Sequence, residues 1–173
     1  MLASWRSEPR ADTTEATRGP RRFAAVPPAL PAPVKAQVAS VESRIAKNLR
    51  NCHLQLIETE RDGNCLFHSL ACWLDGYDHV KLRHVVVDYI AAQPELFEAD
   101  ILASGYGSVS EYCERMTEPG EWGDAIVLQA FTLLTGVNIR LFTDYGFTDL
   151  NPQATQHFAI VQHRGHYQPA LPI

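Results

Sequence analysis

Cys65 has a setting that could make it a nucleophile. It lies in Arg61-Asp62-Gly63-Asn64-Cys65-Leu66-Phe67-His68-Ser69-Leu70. Asp-Gly-Asn is turn chemistry, because glycine accepts positive φ and Asp and Asn side chains bond nearby backbone groups. Beyond it, Leu66, Leu70, Trp73 and Leu74 recur at i, i+4, i+7 and i+8, one face of a helix. A cysteine where a tight turn becomes a helix meets unpaired N–H groups and the positive end of the helix dipole, which favour thiolate over thiol. The same amides could donate to an oxyanion on a substrate.

A thiolate that cleaves an acyl bond needs a base to take the thiol proton and return it to the leaving group. Imidazole does both near neutral pH. His163-Arg164-Gly165-His166-Tyr167-Gln168 follows an apolar stretch, and His166 leaves a predicted strand after a glycine, so its side chain can project at the sheet's end. Metal is the rival chemistry. Cys65, His68 and Cys72 share one predicted helix, and His163 and His166 lie close together later. Tight Cys-x2-Cys pairs are missing, so no metal site is expected, and a thiolate–imidazole pair needs no cofactor.

The positioning elements follow from periodicity. Val34, Val38, Val41, Ile45 and Leu49 predict a helix over 34–51, and Leu54 to Glu58 a short strand or extended approach to the turn. The Cys65 helix is expected to reach about Leu74 and end at Asp75-Gly76. Leu82, Val85, Val86, Tyr89 and Ile90 predict an amphipathic helix ended by Pro94. Short helices and loops fill 95–121. Asp124 caps a buried helix from Ala125 to Leu134, closed by Gly136. Val137–Phe142 and His157–Val161 read as strands, separated by a turn-rich connection. Helices first and strands late, with one strand before the Cys65 helix, indicate an α+β or mixed α/β fold.

Of 173 residues, 46% are hydrophobic and 20% charged, as in a globular domain. Residues 1–33 carry five arginines against three acids and six of the eleven prolines. They are expected to be an extended, mobile Pro/Arg-rich segment. The remaining residues, 34–173, carry ten basic and seventeen acidic groups, which excludes a phosphate-backbone partner and suits a basic protein surface better. No membrane span is present in the sequence. Four irregularly spaced cysteines fit a soluble protein in a reducing cytosol. Cys52 and Cys113 read as packed thiols and Trp122 as core.

Asp62-Gly63-Asn64-Cys65-Leu66-Phe67, Trp122-Gly123-Asp124 and His166-Tyr167, in that order, resemble the motifs of the ovarian-tumour (OTU) family of cysteine proteases. The resemblance covers about residues 50–170. It implies a papain-like α/β fold with a small central sheet sandwiched by helices, and a catalytic domain over 34–173. It also implies a deubiquitinase that hydrolyses the bond after ubiquitin's C-terminal glycine, with ubiquitin or polyubiquitin chains as partner, acting as a monomer. Cys65 carries over as nucleophile and His166 as general base and acid. The Asp62-Gly63-Asn64 loop with the Cys65 amide carries over as the oxyanion hole, and Tyr167 as a residue that positions the histidine or lines the tail channel. Under this reading His68 and Cys72 pack within the helix.

Many family members carry Asp or Asn two residues after the histidine, where this chain has Gln168. A neutral orienting Gln168, Asp62 as third group, and a Cys–His dyad all stay open. A ubiquitin-binding module without activity and another papain-like hydrolase with a different acyl donor are the alternatives. The Ala/Pro/Arg-rich leader suits a bacterial effector secreted into a host cell.

Overall fold

In the computed structural model, residues 44–173 are described, so the leader and the start of the helix expected from residue 34 lie outside the described residues. Residues 44–51 are helical and form α1. The elements after it are β1 (Leu54–Leu56), α2 (Cys65–Ala71), α3 (His79–Ala92), α4 (Glu98–Ala103), α5 (Val109–Thr117) and α6 (Ala125–Thr135). Four strands close the chain: β2 (Asn138–Thr143), β3 (Gly146–Asp149), β4 (His157–His163) and β5 (His166–Pro172).

The five strands form one sheet in the order β1-β5-β4-β2-β3. β2 and β4 run parallel, and the other neighbours are antiparallel. The central strand β4 explains the layering. Phe158 and Ile160 enter the larger core, built with Leu66, Phe67 and Leu70 of α2, Val86 and Ile90 of α3 and Phe131 of α6. Ala159 and Val161 point the opposite way, into a smaller core with Ile45 and Leu49 of α1. A strand apolar on both faces is what a sheet covered by helices requires. The expected sandwich of helices around a small sheet is therefore the observed fold.

Local rules account for most helix ends. The Asp78, Ser108 and Asp124 side chains cap α3, α5 and α6, and Gly136, at φ +70°, ends α6. α2 stops at Ala71, earlier than expected, and short turns carry the chain on to Gly76.

The last strands differ from expectation. His166 opens β5 instead of trailing off the end of a strand. Arg164 and Gly165 have φ of +51° and +73° and form a two-residue hairpin turn between β4 and β5. Both central residues at positive φ match the twist of paired strands. Pro169 lies within β5, opposite Ile160, and a proline there hides the strand from a reading by propensity. Gly146–Asp149, expected as connection, forms β3 against β2.

Candidate active site

The strand β1 and its continuation position one wall of the site. β1 pairs with the end of β5, Ile57 N–H donates to Pro169 O at 2.9 Å, and Thr59 Oγ1 donates to Tyr167 O at 2.7 Å. The chain therefore runs beside β5 as far as the turn that leads into α2.

That turn is held by side chains. Asp62 Oδ1 accepts from Asn64 N–H at 2.8 Å, and Oδ2 accepts from Asn64 Nδ2 at 2.9 Å. These bonds, the Asn64 side chain first, hold the Asp62 carboxyl well below the usual carboxylate range. Gly63 has φ +84°, and a Cβ built there would sit 2.1 Å from the backbone oxygen of Gly120. Only glycine satisfies both conditions.

Behind the turn lies Arg83 of α3, 2% exposed. Its Nη2 donates to Asn64 Oδ1 at 2.7 Å and to Glu121 O at 2.8 Å, its Nη1 donates to Met116 O at 2.7 Å, and its guanidinium lies 4.0 Å from the centre of the Phe67 ring. Asn64 Oδ1 also accepts from Gly120 N–H at 2.9 Å. Burial pulls the guanidinium below its ordinary pKa, opposed by the charges of Glu121 and Asp62. Sequence reasoning missed Arg83. Its one signal is a charged residue between Leu82 and Val86 of an apolar helix face.

Cys65 is the first residue of α2. Its Sγ accepts from Tyr167 N–H at 3.5 Å, which puts the thiol against the residue that follows His166. His166 is 4% exposed, and its Nε2 lies 3.2 Å from Thr59 Oγ1. The hydroxyl has one hydrogen, already donated to Tyr167 O. It therefore accepts from His166 Nε2–H and leaves Nδ1 as the nitrogen able to take a proton. Thr59 was also missed by sequence reasoning, and no pattern in Ile57-Glu58-Thr59-Glu60 marks it.

Thr59 thus joins Asp62 and Gln168 as a candidate for the third group. Both oxygens of Asp62 are engaged by Asn64, and Oδ2 also pairs with His68 Nε2 at 3.3 Å. The Gln168 side chain lines a cavity of about 290 Å³ with Ile45, Leu49, Leu54 and Val161. Asn64 N–H is taken by Asp62, and the Cys65 amide is among the first-turn N–H groups with no partner within the helix. The Tyr167 side chain is half-buried against the larger core, and burial pushes its phenol pKa up.

Two further expectations are corrected. Trp122 is 69% exposed, not core, and its ring lies over Gly165, with 3.5 Å to a Cβ built there. Cys72, expected to pack, is exposed at the end of α2, while Cys113 is buried. Among the described residues, the group with metal-ligand spacing is Asp62, His68 and His79, without Cys65 or Cys72.

Burial first, then the charge of Arg61, lowers the His166 pKa from its ordinary value; Thr59 and Glu58 oppose this. The unfolded chain, with imidazole near about 6.5, thus binds this proton first as pH falls. The histidine's contribution to stability is present above that value and is lost as pH drops toward the folded-state value. Arg61→Gln is expected to raise the His166 midpoint and soften this acid-side loss, read by NMR titration of the imidazole and by melting from pH 7 to pH 5. An unmoved midpoint would remove Arg61 as a cause.

A mixed α/β sheet, with a thiol at a helix start against the backbone N–H of the residue that follows a hairpin-borne histidine, fits an α/β cysteine protease. The model of the OTU-like cysteine protease family matches residues 60–171, and the chain belongs to that family. It is 36% identical over 88 residues to ovarian tumor domain-containing deubiquitinating enzyme 7 of Arabidopsis thaliana, covering 50% of this chain and 23% of that protein. It is 29% identical over 113 residues to ubiquitin thioesterase otu2 of Schizosaccharomyces pombe, covering 61% of this chain and 38% of that protein. The chain thus spans well under half the length of these relatives.

The fold is similar to the OTUD1 OTU domain (TM-score 0.66, 24% identity, 80% of this chain and 99% of that one). It is also similar to an OTU domain solved in complex with ubiquitin (TM-score 0.60, 21% identity, 68% of this chain and 69% of that one). Among the described residues, no helix is long and apolar enough to cross a membrane.

Proposed function

We propose that the chain is a deubiquitinase that cleaves the bond following ubiquitin's C-terminal glycine. The observation that carries this reading is the contact of Cys65 Sγ with the Tyr167 amide, beside a His166 whose Nε2–H is held by Thr59. Relatives named as a deubiquitinating enzyme and a ubiquitin thioesterase, and a similar fold solved with ubiquitin, support the substrate class.

In this mechanism His166 Nδ1 takes the Cys65 proton, and the thiolate attacks the glycine carbonyl carbon. Charge builds on the carbonyl oxygen near the Cys65 amide, which donates to it. The C–N bond breaks as the imidazolium returns the proton to the leaving amine, leaving a thioester. His166 then deprotonates a water that cleaves the thioester and restores the thiol. Thr59 holds the ring and its tautomer, and the Asp62-Gly63-Asn64 turn sets the position of the Cys65 amide.

The test is reaction with ubiquitin bearing a C-terminal thiol-reactive electrophile, read as a mass increase of one ubiquitin. Wild type is expected to react, and Cys65→Ala to show no adduct. An adduct that persists in Cys65→Ala would move the nucleophile to another cysteine.

A further inference from the structure

We propose that Asp62, His68 and His79 form a binding site for one divalent transition-metal ion of the zinc type, seated against the turn that precedes Cys65. The three side chains come from separate places: Asp62 from the turn, His68 from α2, and His79 from the first position of α3. One ligand atom from each lies within 4.8 Å of the other two. Asp62 Oδ2 and His68 Nε2 are 3.3 Å apart. Ligands held at about 2.0–2.1 Å in a tetrahedron around zinc lie roughly 3.3 Å from one another, so this edge already has the required length. The other two edges, from His79, are no longer than 4.8 Å.

The donor set suits that ion. Two imidazoles and one carboxylate are good ligands for zinc and its first-row neighbours, and three protein ligands leave a fourth position for water. The His68 and His79 rings lie with centroids 3.9 Å apart and planes tilted by 32°. This contact holds the two rings side by side on the same side of the turn. Hydrogen bonds from Asn64 keep the Asp62 carboxylate ionised and oriented, which is how metal-binding carboxylates are commonly supported.

A bound ion would take the place of the His68–Asp62 hydrogen bond while Asp62 keeps both bonds to Asn64. The turn that carries Cys65 would then be tied to α2 and α3 through the metal. An ion that binds only the folded chain raises its melting temperature by mass action. This site lacks Cys65, and its occupancy does not depend on the proposed reaction.

Calorimetric titration with zinc chloride tests this on the full chain carrying Cys65→Ala, which removes a competing thiol. The expected result is one ion per chain and a raised melting temperature. Adding His79→Ala or His68→Ala is expected to weaken binding at least tenfold and abolish the melting shift. Cobalt(II) bound to the Cys65→Ala chain is expected to show no thiolate charge-transfer band. If His79→Ala does not fold, as judged by metal-free melting, His79→Gln keeps the bulk and removes the ligand. Equal affinity in all variants, a thiolate band, or no binding would each overturn the proposal.

Discussion

Arg83→Leu is expected to cost about 2–5 kcal/mol of stability, since each carbonyl left without a donor costs about 1–3 kcal/mol. The guanidinium donates to three oxygens, Met116 O, Asn64 Oδ1 and Glu121 O, and to Met116 Sδ, and packs on Phe67. Leucine fills part of the volume but leaves the Met116 and Glu121 carbonyls without this donor, the first of them in a buried setting. Hydrogen bonds to charged groups contribute about 1.5–3 kcal/mol each and do not add fully. The melting temperature should fall by on the order of 10 °C. Arg83→Lys keeps a charge but cannot reproduce the fork that reaches all three oxygens, so it should recover only part of the loss. Urea unfolding with an unchanged slope would assign the effect to the folded state. A midpoint close to wild type would mean that the turn before Cys65 holds its shape without Arg83.

Thr59→Val is expected to lower kcat/KM by roughly 10- to 100-fold, less than the about 10²- to 10⁴-fold of general acid–base catalysis itself, because His166 stays in place. Valine matches threonine in shape but offers no lone pair to His166 Nε2–H. The ring then either buries an unpaired N–H or moves its proton to Nδ1, the nitrogen that must accept from Cys65. The loss should fall on kcat with KM little changed, because Thr59 acts through the histidine. Thr59→Ser should restore most of the rate, and the 15N shifts of the imidazole should report the change of tautomer in Thr59→Val. A purely structural role would give neither the rescue by serine nor the tautomer change. Gln168→Ala, assayed alongside, should stay near wild type, since that side chain lines a different cavity. A wild-type rate in Thr59→Val would leave Cys65 and His166 as an unsupported pair.

Much of the fold and of the Cys65 turn was legible because it depends on neighbours in sequence. Asp62-Gly63-Asn64 makes a turn by its own side chains and by glycine's positive φ, and the apolar spacing that follows makes a helix start at Cys65. Asp124 as cap and Gly136 as terminator of α6 are decided within four residues of each end. Periodicity likewise marked the helix face holding Leu82, Val86 and Ile90.

The rest was decided by groups distant in the chain. Thr59 and His166 are 107 residues apart, and a threonine's choice of partner has no local signature. Arg83 reads as an interruption of an apolar face until Asn64, Met116 and Glu121 surround it. Trp122 reads as core, because a large aromatic usually buries, yet the hairpin turn at Gly165 gives it an exposed seat. β5 contains a proline, and its strand pairing comes from β1 and β4, not from its own propensity. The sequence by itself determined the turn, the caps and the helix that carries Cys65, since those rest on backbone conformation and contacts within a few residues. Only the tertiary structure decided which hydroxyl holds His166, which cation holds the turn and which imidazoles meet Asp62, because each is a pairing between segments that the chain brings together only by folding.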